Sequence, residues 1–256
     1  VVTDQRRDGK TVVGYAWGSL GKHACGAPMR ARFIPRVLEA KPDSLLDDAG
    51  VIDPEKVQAA MNTKEKQGGH AERSVPIGII DTAVWDAVGK IQEKPVWRLL
   101  ADRYNGGKHL TSVPCYVGGG WYLPGNKLSD LSDELHRHRD AGYRMLKIKS
   151  GGLPIADDVK RVELALDIVG GGSNLAVDFN CSLDHKRARE YATAYAPYRL
   201  RWFEEPIDPL DLKGYAELAA FYEPPISQGE CLTAPQEVNN FLEFGGFRAD
   251  RDILQI

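Results

Sequence analysis

Three acidic residues stand at equal intervals in this chain, and the interval matches one strand plus one helix with their turns. Asp178 closes the apolar run Leu175-Ala176-Val177, Glu204 closes Arg201-Trp202-Phe203, and Glu230 follows Ile226-Ser227-Gln228-Gly229. The two steps are 26 residues each, and Lys149, at the end of Met145-Leu146-Lys147-Ile148, stands 29 before the first. A crossover between parallel strands takes roughly 30 residues, so each step reads as one βα unit with its polar residue at the carboxyl end of the strand. In a parallel barrel those ends converge on one face, where catalytic groups from different strands meet.

Such a convergence has chemical consequences. Three carboxylates brought together raise each other's pKa unless a cation holds them. A set of oxygens without Cys or His suits a hard divalent ion, Mg²⁺ before Ca²⁺ or Mn²⁺. Lys147 and Lys149 share a strand face, since side chains repeat with period 2. Close to each other and to a cation, one of them is expected to have its pKa lowered toward neutrality and to serve as a base. A metal beside such a lysine is a device for removing the proton next to a carboxylate, with the metal holding the enediolate that forms.

The rest of the chain fits around this series. Residues 1–3 and 11–17 flank the polar turn Arg7-Asp8-Gly9-Lys10 and read as a β-hairpin. Helices are expected at 29–38, at 54–62 with Asp53 as N-cap and Pro54 first in the helix, at 74–90, and from Val96 to Leu100. From Gly106-Gly107 onward short apolar runs alternate with helical patterns, which places a domain boundary near residue 108. Strands are expected at 113–117, 145–149, 175–178, 201–204, 226–230 and 253–256. Helices follow at 127–140, 155–169, 185–196, 209–222 and 234–244. The fold class is therefore α/β: an α+β capping domain over 1–108 and a (β/α)₈-type barrel over 109–256, with five βα units and the start of a sixth where a closed barrel has eight. The chain starts at Val1 within a strand pattern and stops within Ile253-Leu254-Gln255-Ile256, so it is expected to be a piece of a longer polypeptide.

Composition narrows the partners. A formal charge of −3 gives no reason to expect nucleic acid or an anionic membrane. No apolar run approaches the ~20 residues of a membrane helix. The four cysteines, Cys25, Cys115, Cys181 and Cys231, lack the spacing of zinc motifs, and a reducing cytoplasm is the simplest reading. Cys181 and Cys231 read as small packing residues. Gly118-Gly119-Gly120-Trp121-Tyr122 lacks the features of a dinucleotide fingerprint and reads as a rim loop.

The motifs resemble a known family. Lys147-Ile148-Lys149, Asp178-Phe179-Asn180, Phe203-Glu204-Glu205-Pro206 and Gly229-Glu230 are similar to the enolase superfamily, in its mandelate racemase-like branch. The stretch from Ile80 to Lys90, with Lys94-Pro95-Val96, resembles the helix that joins the capping domain to the barrel there. The phrases at 69–74, 101–104 and 250–252 look most like acid-sugar dehydratases of the D-tartrate dehydratase kind. The resemblance implies Mg²⁺ on Asp178, Glu204 and Glu230, with Glu204 preferred to Glu205 as the first Glu of Glu-Glu-Pro. It implies Lys149 as base and Lys147 at the substrate carboxylate. Asn180 is expected to touch substrate or else to cap the next helix, and Lys22, His23 and Tyr122 are weaker candidates for substrate contact. The implied activity is dehydration of a small hydroxy acid to a 2-keto acid by a cytoplasmic homo-oligomer. A racemase or epimerase with the same half-site and an inactive fragment are the alternatives. The acid that expels the β-hydroxyl is, by the same resemblance, a His on a seventh strand, and no such position lies in this sequence.

Overall fold

The computed structural model describes residues 1–18 and 25–255, so Lys22 and His23 lie outside the described residues. The chain forms two compact units, Val1–Ser112 and Val113–Ile256.

In the first unit, β1 (Val2–Arg7) pairs antiparallel with β2 (Lys10–Val13), Arg7 opposite Lys10. The two-residue turn between them has positive φ at Asp8 and Gly9, the twist that a tight hairpin needs. Helical turns follow over 26–38, then the helices Pro54–Met61, His70–Ile91 and Val96–Tyr104. Asp53 caps its helix by accepting from the N–H groups of Glu55 and Lys56. The long helix begins four residues before the expected Ser74. Gly69, in the left-handed region, turns the chain into it, and Pro76 lies inside without ending it. Phe33, Val57, Met61, Ile77, Ile80, Val84, Val88 and Leu99 make this unit's core.

The second unit is a parallel sheet with helices between its strands. Among the described residues it has six strands in sequence order: β3 (Tyr116–Gly119), β4 (Met145–Lys149), β5 (Leu175–Asp178), β6 (Trp202–Glu204), β7 (Ile226–Gln228) and β8 (Ile253–Leu254). The order β3-β4-β5-β6-β7-β8, each crossover carrying a helix, is the arrangement of a barrel wall. One face of the sheet packs on the helices. Leu146, Ile148, Leu175, Val177, Phe203 and Ile226 lie there in one core with Val162, Ala165, Tyr191, Tyr195, Leu218 and Phe241. Because side chains alternate across a strand, Lys147, Lys149, Asp178 and Glu204 share the opposite face.

Two strands depart most from expectation, while β6 begins one residue later, at Trp202, and β8 covers only Ile253–Leu254. β3 starts at Tyr116, not 113, because Pro114 has no N–H for the ladder. It runs on through Gly118 and Gly119, which the sequence places in a loop. Glycine suits this position because the helix Leu128–Asp140 lies close: a Cβ at Gly119 would stand 2.4 Å from a Glu134 carboxylate oxygen. β7 stops at Gln228, two residues short of Glu230. Gly229, at φ 146, has its backbone against Gln255, where any Cβ would be 2.0 Å from the carbonyl oxygen. That close approach ends the strand and puts Glu230 in the turn beyond it.

Candidate active site

Strand register aligns the polar ends. Lys149 is opposite Asp178, and Asp178 is opposite Glu204. Asp178 and Glu204 are 1% and 0% exposed, so two carboxylates are buried side by side. Burial of that kind requires charge compensation, and the lysines of β4 supply it. Lys147 Nζ lies 2.5 Å from Glu204 Oε1 and 3.1 Å from Asp178 Oδ2, and Lys149 Nζ lies 2.6 Å from the same Asp178 oxygen.

The other oxygen of each carboxylate is anchored by the protein. The Asn180 backbone N–H donates to Asp178 Oδ1 at 2.9 Å, and the Trp202 indole N–H donates to Glu204 Oε2 at 2.6 Å. Each acid therefore has one fixed oxygen and one turned toward a cationic nitrogen. Aromatic rings complete the surround. Lys149 Nζ sits 4.5 Å from the centre of the Trp121 ring and Lys147 Nζ 5.6 Å from that of Tyr116, which in turn meets Trp202 edge-on.

These contacts set the protonation of the site. Burial pushes Asp178 up, but the hydrogen bond from Lys149 and the charge of Lys147 outweigh it and leave the acid below its usual range. Burial and the Asp178 charge hold Glu204 above its usual range, against the opposing pull of Lys147 and Trp202. For Lys147, burial pushes down, yet the hydrogen bond to Glu204 and the charges of Asp178 and Glu204 prevail and its pKa is raised. Lys147 is therefore not the lysine shifted toward neutrality that the sequence leads one to expect of one member of the pair. Its nearest neighbours are the carboxylates, not a second cation.

The remaining candidates divide. Glu230 is exposed in the turn after β7, and its charge helps to push Glu205 up to about 6, burial being the larger cause. Asn180 is exposed in a turn at φ 46, and the helix His185–Tyr195 is capped by Asp184, so Asn180 is not the cap. The Tyr122 hydroxyl donates to Asp158 at 2.6 Å, and Arg161 stacks on its ring, so this side chain is fixed in the wall.

Two features escaped the sequence. Asp158, 1% exposed, accepts from Tyr122, from Tyr191 at 2.8 Å and from the Gly151 N–H at 2.8 Å, and so holds the turn that follows Lys149. Its partners come from distant segments, and no spacing signals them. The second is a group formed by Cys181, Glu205 and Cys231, whose ligand atoms lie within 4.8 Å of one another. Here a signal existed: Glu205 and Cys231 each directly follow one of the spaced acids and share their 26-residue step.

The donor set of Asp178 and Glu204 fits a hard divalent cation. It is all oxygen, and one cationic nitrogen already stands within bonding distance of both acids. Residues 130–256 match the family described as enolase C-terminal domain-like. Through them, the chain belongs to the enolase superfamily.

Its similarity to members of the superfamily is partial. An L-talarate/galactarate dehydratase from Salmonella typhimurium (strain LT2) is 33% identical over 161 residues, 63% of this chain and 39% of that protein. A 3,6-anhydro-alpha-L-galactonate cycloisomerase from Streptomyces coelicolor is 33% identical over 180 residues, 70% of this chain and 47% of that protein. The solved structure of a racemase from Streptomyces coelicolor A3(2) with bound magnesium matches with a TM-score of 0.74 at 27% identity, over 95% of this chain and 68% of that one. The chain thus spans less than half the length of these two curated relatives. Among the described residues, no helix is long and apolar enough to cross a membrane.

Proposed function

We propose that this chain carries the proton-abstracting half of a Mg²⁺-dependent dehydratase that converts a small hydroxylated acid, aldarate- or tartrate-like, into a 2-keto acid. The observation that carries the reading is the pair of β4 lysines clasped to the adjacent, buried Asp178 and Glu204. The magnesium in the solved racemase and the name of the talarate/galactarate dehydratase support it from outside the chain.

Asp178 and Glu204, with Glu230 from the next turn, would hold the ion. Bound there, Mg²⁺ supplies fixed positive charge where negative charge develops as the α-proton leaves. Lys149 takes that proton on Nζ as the neutral amine, which requires its contact with Asp178 to loosen first. The Trp121 ring then stabilises the ammonium that results and shields one side of it from water. Lys147, kept cationic by its neighbours, receives the substrate carboxylate. Asn180, exposed beside Asp178, is placed to hydrogen-bond a substrate hydroxyl. Elimination would then break the β carbon–oxygen bond, and the proton that turns the leaving hydroxyl into water would come from an acid on the opposite face, by the family resemblance a His outside this sequence.

Proton NMR in D₂O, with Mg²⁺ and a panel of tartrates and sugar acids, tests the reading. Exchange of the α-proton for deuterium is the expected result, with a keto acid formed where the β-hydroxyl also leaves. The Lys149→Ala chain should be slower by a factor of roughly 10² to 10⁴. Deuteration with inversion at the α carbon and the hydroxyls retained would make the chain a racemase or epimerase, and absence of exchange with every acid would overturn the proposal.

A further inference from the structure

Beyond the acids and lysines, the same strand ends hold a second cluster of ligand atoms with different chemistry. Cys181 follows β5, Glu205 follows β6 and Cys231 follows β7, three neighbouring strands. The backbone joins two of these ends, since the Cys181 N–H donates to the Glu205 carbonyl at 2.6 Å. Cys181 Sγ lies 3.5 Å from Glu205 Oε2, and Cys231 Sγ lies 3.9 Å from the same oxygen.

Glu205 is 0% exposed, and its other oxygen, Oε1, is buried without a hydrogen-bond partner among the described residues. A buried carboxylate with thiols around one oxygen and nothing on the other is costly, because thiols are weak donors. The backbone here is also held in a sparsely populated region, with φ of 58 at Cys181 and 41 at Glu205. Neither catalysis nor the hard-cation site explains why the fold maintains this arrangement.

We propose that Cys181, Cys231 and Glu205 form a binding site for a soft or borderline divalent metal ion of the zinc class, separate from the site of Asp178 and Glu204. Two thiolates and a carboxylate select Zn²⁺, Co²⁺ or Cd²⁺ over Mg²⁺, which prefers oxygen alone. The spacing agrees with that chemistry. Zn–S bonds of about 2.3 Å and a Zn–O bond of about 2.0 Å at tetrahedral angles put sulfur and oxygen about 3.5 Å apart. On binding, two S–H bonds break, two metal–sulfur bonds form and two protons pass to the buffer, with no change of oxidation state. The ion would tie the ends of β5, β6 and β7 together.

Co²⁺ titration of the full chain in excess Mg²⁺ tests the site. An intense near-ultraviolet thiolate-to-cobalt absorption band should grow to one ion per chain and vanish when Zn²⁺ is added. It should persist in the Cys25→Ser/Cys115→Ser chain, where the cluster is untouched, and be lost in Cys181→Ser and in Cys231→Ser. Absence of the band from the unmodified and the Cys25→Ser/Cys115→Ser chains, or its survival in Cys181→Ser, would overturn the proposal. The readout needs neither turnover nor Mg²⁺ binding, so it fails or succeeds apart from the dehydratase reading.

Discussion

Replacing Asp158 with Ala should destabilise the barrel unit more than any single hydrogen bond would indicate. The side chain is 1% exposed and accepts from the Tyr122 hydroxyl, the Tyr191 hydroxyl and the Gly151 N–H, at 2.6, 2.8 and 2.8 Å. Its Oδ1 also lies 3.5 Å from Arg161 Nε, a nitrogen buried without another partner. Truncation leaves the Gly151 and Leu153 N–H groups without this acceptor, while the Tyr122 and Tyr191 hydroxyls keep the Lys149 and Leu153 carbonyls and Arg161 keeps that of Gly120. Each unmet buried donor costs about 1–3 kcal/mol, but partial relaxation makes the losses less than additive. A total of roughly 2–4 kcal/mol follows, a large share of the ~5–15 kcal/mol that holds a typical domain. Tyr122→Phe and Tyr191→Phe, each removing one donor, should cost about 1 kcal/mol apiece. Urea unfolding followed by far-ultraviolet circular dichroism measures this. With a slope of roughly 2 kcal/mol/M, the Asp158→Ala midpoint should fall by about 1–2 M. A fall no larger than that of Tyr122→Phe would refute the account of Asp158 as the shared acceptor.

Two further outcomes are expected. Mg²⁺ should raise the thermal midpoint, by the equivalent of about 2.7 kcal/mol at a hundred times its Kd, and Asp178→Asn should abolish the rise; a rise that persists in Asp178→Asn would place the ion elsewhere. In the first unit, Glu65 is held below the usual 4.5 by its hydrogen bond from Arg32, with burial opposing and Arg36 assisting. Its folded pKa is depressed, so its contribution is present above about 4.5 and lost as pH falls through the folded value. The stability gap between the native chain and Glu65→Gln should therefore close on acidification below pH 4.5, and a gap that widens would contradict the ion pairs.

What the sequence revealed depended on whether the cause was local. β4 and β5 were legible to the residue because apolar alternation or an apolar run ends at a charge, and the same pattern indicated which face Lys147 and Lys149 share. β3 was not. Gly118 and Gly119 look like loop residues until the nearby Glu134 side chain is known. The end of β7 was missed for a similar reason, since contact between Gly229 and Gln255 arises only when the two strands are neighbours. Asp158, Tyr122 and Tyr191 meet across 33 and 36 residues of chain, and nothing in their spacing foretells it. The sequence leaves open which of the two lysines is shifted and which way, because that depends on which charge stands nearest, and only distances decide it.

The clasp of Lys147 across Asp178 and Glu204 bears on the order of assembly. A cluster of like charges usually makes a nascent protein wait for an inorganic ion before it can close. Here a neutralising group is built into the adjacent strand, since Lys147 reaches both acids. On the proposed reading, loading would substitute one positive charge for another, and the amine set free would be available to an acidic small molecule.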